Sequence, residues 1–158
     1  MKKITEHLVN SLRGRGAHIS IEAALKNFPV AKAGEKIAGL EHSVWMLLYH
    51  IWICANDIVE FSIHEGHESP VYPSGYWPDR CCPETEKGWN KLIEDTKNEM
   101  ERMAELLEDE SNDLLAPFPW GTGQNLFREA LILIDHNSYH IAQIIDARAL
   151  LGVPVKDW

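Results

Sequence analysis

A chain of 158 residues suits one domain with a single substantial core, and its 45% hydrophobic content is ordinary for a globular protein. The formal net charge of -9, with no basic stripe, argues against a nucleic-acid groove and against attraction to an anionic membrane surface. Three cysteines, Cys54 and the adjacent Cys81 and Cys82, form no C-x-x-C and no framework spacing, so reduced thiols are expected and a cysteine-rich structural zinc site is not supported. The opening Met-Lys-Lys-Ile-Thr-Glu-His-Leu has no apolar core of signal-peptide length, and the most hydrophobic stretch, Val44 to Ile53, is too short to span a bilayer. A cytoplasmic protein is expected.

Helical periodicity runs through four segments, and nowhere does a sustained two-residue alternation mark a sheet, so the fold class is all-α. The first segment covers about Ile4 to Leu25, with a stripe through Leu8, Leu12, Ile19 and Ala23. Gly14 and Gly16 weaken it by about 1 kcal/mol each relative to alanine, which points to a break or kink near Arg13 to Gly16. Asn27 to Gly34 reads as a connection. A second helix covers about Ser43 to Ile63 and is apolar nearly all round, the mark of the most buried helix in a set.

From Glu65 to Pro83 the prolines at 70, 73, 78 and 83, with Gly66 and Gly75, make a continuous helix impossible. An irregular stretch of that length is functional or a crossover between distant helix ends, and Tyr72, Tyr76 and Trp77 suggest that it packs onto the helices. The third helix runs from about Glu84 to Glu108, with Trp89, Leu92, Thr96, Met100, Met103 and Leu107 on its apolar stripe. Its acids, including Glu94, Glu101 and Glu105, read as a solvated face. Ser111 to Gly123 connects to a fourth helix over about Asn125 to Leu151, stopped by Gly152 and Pro154. Four such helices pack most economically as a four-helix bundle, here as one domain over residues 1–158.

The residues with most chemistry are His136 and His140, four apart in Asp135-His-Asn-Ser-Tyr-His-Ile-Ala-Gln143. On a helix both imidazoles leave one face about a turn apart and can close on one metal ion. His50, on the second helix, supplies a third nitrogen if the second and fourth helices face each other. Three imidazoles with an open position suit zinc, nickel or iron(II) as a divalent cofactor. Taken singly, each histidine is more simply an ordinary core or half-buried residue satisfied by hydrogen bonds. Neutral imidazole is the donor form, so binding is expected to weaken as pH falls through about 6.5.

Several neighbours qualify the site. Asp57, two turns after His50, and Glu129, two turns before His136, could hold the far ring nitrogens, act as a general base, or be ordinary surface acids. Cys54 lies four residues after His50 and reads either as a fourth ligand or, more simply, as a small buried hydrophobe. His42 belongs to another angular position, and His64 and His67 fall at or in the loop, outside the site.

These marks together resemble the DinB-like family of small bacterial four-helix proteins. The resemblance rests on His50, on His136, His140 and Gln143, and on Arg148-Ala-Leu-Leu-Gly152. It extends to Trp45, Trp77-Pro78, Trp89 and Arg128-Glu129. It implies an up-down-down-up bundle with Glu65 to Pro83 crossing over between helices two and three, a divalent metal on His50, His136 and His140, and a homodimer. Similar families include thiol-dependent S-transferases using bacillithiol or mycothiol and a maleylpyruvate isomerase, so the resemblance admits a low-molecular-weight thiol or another small molecule as substrate. Ile141-Ala142 departs from the Arg-Gly common after the last histidine, so no substrate contact is expected there. Three readings remain: a metal-dependent enzyme activating water or a thiol, as a hydrolase or S-transferase; a non-enzymatic stress-response or binding protein whose metal only ties helices together; or an apo scaffold whose histidines are satisfied core residues.

Overall fold

The structure is a computed structural model and describes residues 2–156. Those residues form five α-helices and no strand: α1 (Lys2–Leu12), α2 (Ile21–Leu25), α3 (Val44–Ile63), α4 (Glu86–Glu108) and α5 (Leu126–Leu150). Short 3-10 turns at Val30–Lys32 and Ser74–Tyr76 interrupt the connections before α3 and before α4. Four of the helix starts are built alike. Ser20, Ser43, Thr85 and Asn125 are extended N-caps whose side chains accept from the amides of Ala23, Met46, Gly88 and Arg128, satisfying donors that the helix itself leaves unpaired.

The break expected near Arg13 to Gly16 is present and wider than expected: Ile4 to Leu25 holds parts of two helices, separated by residues 13–20. Gly14 adopts φ +70, outside helical space and strained for any L side chain. A Cβ there would lie 2.4 Å from Ser20 Cβ, so the chain doubles back tightly before Ser20 caps α2.

α3 packs against both α4 and α5, and α1 closes on α4 and α5 from the other side. Two apolar clusters lie along these helices. One gathers α1 with Ala55 and Val59 of α3, Met103 and Leu107 of α4, and Ala130 and Leu133 of α5. The other gathers α2 with Leu47, Leu48 and Ile51 of α3, Trp89 and Leu92 of α4, and Ile141 and Ile144 of α5. On α3 the change from one cluster to the other falls between Ile51 and Ala55, and on α5 between Leu133 and Ile141. His50, His136 and His140 occupy this junction.

The apolar stretch read as Val44 to Ile53 continues through the whole of α3, which is by length and composition long enough to cross a membrane. Packing against α4 and α5 buries only about a third of that stretch, so α3 is not the most buried helix that its apolarity suggests, and Asn56, Asp57 and Glu60 engage polar partners along it.

The crossover from α3 to α4 is fastened at its far end to the start of α3. Ser43 Oγ donates to the Cys81 carbonyl at 3.0 Å and Trp45 Nε1 to the Arg80 carbonyl at 3.1 Å. Gly34 lets the two strands of backbone touch, since a Cβ there would fall 2.3 Å from Cys82 Cβ and 2.8 Å from the Cys81 carbonyl. The other end of α5 is tied down by Arg148, 4% exposed, whose guanidinium donates to the carbonyls of Ala24, Lys26 and Val153.

Candidate metal centre

α3 delivers His50 and α5 delivers His136 and His140 to one place, where one ligand-type nitrogen from each lies within 4.8 Å of the others. His50 Nε2 and His136 Nε2 are 3.2 Å apart. Two nitrogens bound at roughly 2.0–2.1 Å to one tetrahedral ion stand about 3.3 Å apart, so this pair already has the spacing of a shared ion. The ring centroids are 4.4 Å apart for His136 and His140 and 4.7 Å for His50 and His140.

Two of the three rings are oriented from behind. His50 Nδ1 is 2.9 Å from the Tyr76 carbonyl, which can only accept, so Nδ1 carries the proton and neutral His50 offers its Nε2 lone pair. His140 Nδ1 is 2.7 Å from Gln143 Oε1, with the same consequence. His136 Nδ1 is buried and makes no hydrogen bond.

Burial pulls His136 down to about 4, and the charges of His140 and His50 act in the same direction. His50 and His140 are also drawn below the ordinary histidine value, chiefly by burial, with the Tyr76 carbonyl and Gln143 opposing. All three are therefore held neutral to lower pH than an ordinary histidine, His136 most clearly, and the expected loss of metal affinity near about pH 6.5 moves to more acid conditions.

The crossover covers His50. Trp77 stacks on its ring, centroids 4.1 Å apart and planes 7° from parallel, and His42 approaches the same indole at 3.8 Å. Tyr76 is held by its hydroxyl, which donates to Asp57 at 2.6 Å, and His67 reaches the other Asp57 oxygen at 2.7 Å. Asp57 therefore does not hold an imidazole of the cluster. It fixes Tyr76, whose carbonyl holds His50, and this indirect role recruits His67 from the loop. Tyr72, expected to pack, is instead 83% exposed.

Glu129 is buried but paired with Arg128, its chain neighbour, and holds none of the three rings. Cys54 lies on the edge of the His50 ring, Sγ being 3.7 and 3.8 Å from the two nitrogens. Burial first, and Asp57 second, push its thiol up to about 12, so at neutral pH it is a half-buried thiol and not a thiolate. Glu94, Glu101 and Glu105 are exposed, and Glu101 pairs with Arg13. His64 pairs with Glu60 at 3.3 Å, away from the cluster.

Sequence reasoning missed the Tyr76 carbonyl and the stack between His42, Trp77 and His50. A backbone acceptor has no residue signature. The role of Gln143 was available from its spacing of three residues after His140, which puts the two side chains on one helix face.

No curated protein and no solved structure matches the chain. The family model described as the DinB superfamily matches residues 15–144, a span that includes His50, His136, His140 and Gln143 and stops before Arg148. By that match over most of its length, the chain belongs to the DinB superfamily.

Proposed function

We propose that His50, His136 and His140 hold a divalent metal ion, with zinc, nickel or iron(II) as candidates, in a metal-dependent enzyme that activates water or a thiol. The observation that carries this reading is the convergence of three neutral imidazoles, two of them with Nδ1–H committed elsewhere so that Nε2 faces the centre. A bound divalent ion would lower the pKa of a water or thiol in contact with it, from about 15.7 toward about 7 for water on zinc, and so supply a nucleophile at neutral pH. The protein's own part is to keep the imidazoles neutral by burial, to orient His50 through Tyr76 and Asp57, and to shelter its ring beneath Trp77. Cys54, a protonated thiol when no metal is bound, packs against the His50 ring. The same reading takes α1, α3, α4 and α5 as an up-down-down-up four-helix bundle with residues 64–85 crossing over.

A second reading is favoured by the crowding of His50 between Trp77 and Cys54: the metal ties α3 to α5 without catalysis. Metal content by mass spectrometry, on protein purified without chelator, tests what both share. One ion per chain in the wild type, lost in each of His50→Ala, His136→Ala and His140→Ala, is expected. Retention in all three variants, or no uptake after incubation with zinc, nickel and iron(II), overturns it. Turnover of ester or thiol substrates that follows metal occupancy then separates enzyme from structural site.

A further inference from the structure

Among the described residues, two buried side-chain polar atoms make no hydrogen bond, and they belong to successive residues: His136 Nδ1 and Asn137 Oδ1. Neighbouring residues on a helix ordinarily diverge by about 100°. Here the amide nevertheless lies near enough to pull the His136 pKa upward, though not in hydrogen-bonding geometry. The other end of the amide is engaged: Asn137 Nδ2 donates to Met100 Sδ at 2.9 Å, and since a thioether can only accept, Oδ1 is the end left over.

The two atoms do not pair as they stand, and the proton positions show which form would let them. His50 Nδ1–H is committed to the Tyr76 carbonyl, so neutral His50 presents a bare Nε2. The contact of 3.2 Å between the two Nε2 atoms is then a hydrogen bond when His136 carries its proton on Nε2. In that tautomer His136 Nδ1 is an acceptor beside the acceptor Asn137 Oδ1, and two acceptors cannot pair. Moving the proton from Nε2 to Nδ1 changes no net charge: one N–H bond breaks, another forms, and solvent carries the proton between them. It frees Nε2 and turns the two unpaired atoms into a donor and an acceptor.

We infer that Asn137 is the positioning residue for His136, its Oδ1 accepting from Nδ1–H in the tautomer that presents Nε2 to a metal ion. The inference rests on the metal reading proposed above. With the Tyr76 carbonyl behind His50 and Gln143 Oε1 behind His140, all three rings then have an acceptor that selects the ligating tautomer. Asn137 faces α4 through Met100, so its placement depends on a helix that contributes no histidine to the cluster.

The test compares zinc affinity, by competition with a chromophoric chelator, for wild type, Asn137→Leu and Asn137→Asp, with 15N NMR of the imidazoles in the zinc-loaded proteins. Asn137→Leu removes the acceptor and is expected to weaken zinc binding by about ten- to a hundredfold. Asn137→Asp keeps an acceptor, a stronger one, and should remain within about threefold of wild type. The ring nitrogens of zinc-loaded wild type should show the His136 proton on Nδ1 in a hydrogen bond. Equal affinity in the leucine variant, an aspartate variant as weak as leucine, or a His136 Nδ1–H that exchanges like a free one overturns the inference. Should the leucine variant not fold, the aspartate variant and the wild-type spectrum still decide. Zinc binding that is absent, or that survives His136→Ala, defeats the metal reading itself; binding that needs His136 and ignores Asn137 defeats this inference alone.

Discussion

Acidification of the metal-free protein probes the burial of the histidine cluster. His136 is held down to about 4 in the folded chain, whereas an unfolded histidine titrates near about 6.5. The unfolded chain therefore takes up the proton first as pH falls. The stability associated with a neutral His136 is whole above about pH 6.5 and is lost progressively down to about pH 4. Linkage for this one group gives about 2 kcal/mol between pH 7 and pH 5, and because His136 is only partly buried, solvent screening reduces that to about 1 kcal/mol. His50 and His140 are shifted in the same direction and add to the loss. Urea unfolding followed by circular dichroism, in chelator, at several values between about pH 7 and pH 5, measures the slope before most carboxylates protonate. His136→Gln removes the titrating group. The stability of wild type should fall by about 1 kcal/mol more than that of the variant over this range. Parallel curves would show that His136 does not lie in a desolvated, like-charged setting.

The same depressed pKa values govern metal retention. Three ordinary histidines would lose about thirtyfold in zinc affinity between about pH 7 and pH 6, whereas this cluster should lose less, since all three are held below the ordinary value, as measured with a competing chelator. Arg148→Met should cost about 3 kcal/mol in urea unfolding, because three carbonyls, those of Ala24, Lys26 and Val153, lose a charged donor in a nearly buried site. A cost under about 1 kcal/mol would mean that water replaces the guanidinium. Gly34→Ala should cost about 1–3 kcal/mol, because the added Cβ meets Cys81 and Cys82 and pushes the crossover off the start of α3. Unchanged stability would show that this end of the crossover yields freely.

The three histidines were legible because two share a helix face by spacing alone and the third lies on the apolar helix that packs against α4 and α5. The helix starts were legible without their caps: α4 and α5 begin within two residues of the expected Glu84 and Asn125. The split of the first segment was legible at Gly14 and Gly16, but its extent was not, because Ile19 and Ala23 continue the apolar stripe across the turn. What ends the helix is the positive φ of Gly14, and what restarts it is the Ser20 cap, neither of which the stripe reveals.

Asp57 marks where pattern reasoning ends. Helical spacing places it two turns from His50 and offers it as a direct partner, but a helix face gives no account of what a long irregular segment lays across it. Ser43 and Trp45 fasten the end of the crossover by its backbone carbonyls, and that fixes where Tyr76 and Trp77 arrive. Once Tyr76 is in place its carbonyl accepts from His50 Nδ1–H, and its hydroxyl donates to Asp57, which is then satisfied together with His67. The orientation of a ring in the cluster is thus set by a backbone atom on a segment with no periodicity, held by contacts at its two ends. For that reason the side chains to perturb, if the centre is to be altered without touching a histidine, are Asp57 and Trp45 on α3, which anchor the segment that covers His50 from either side.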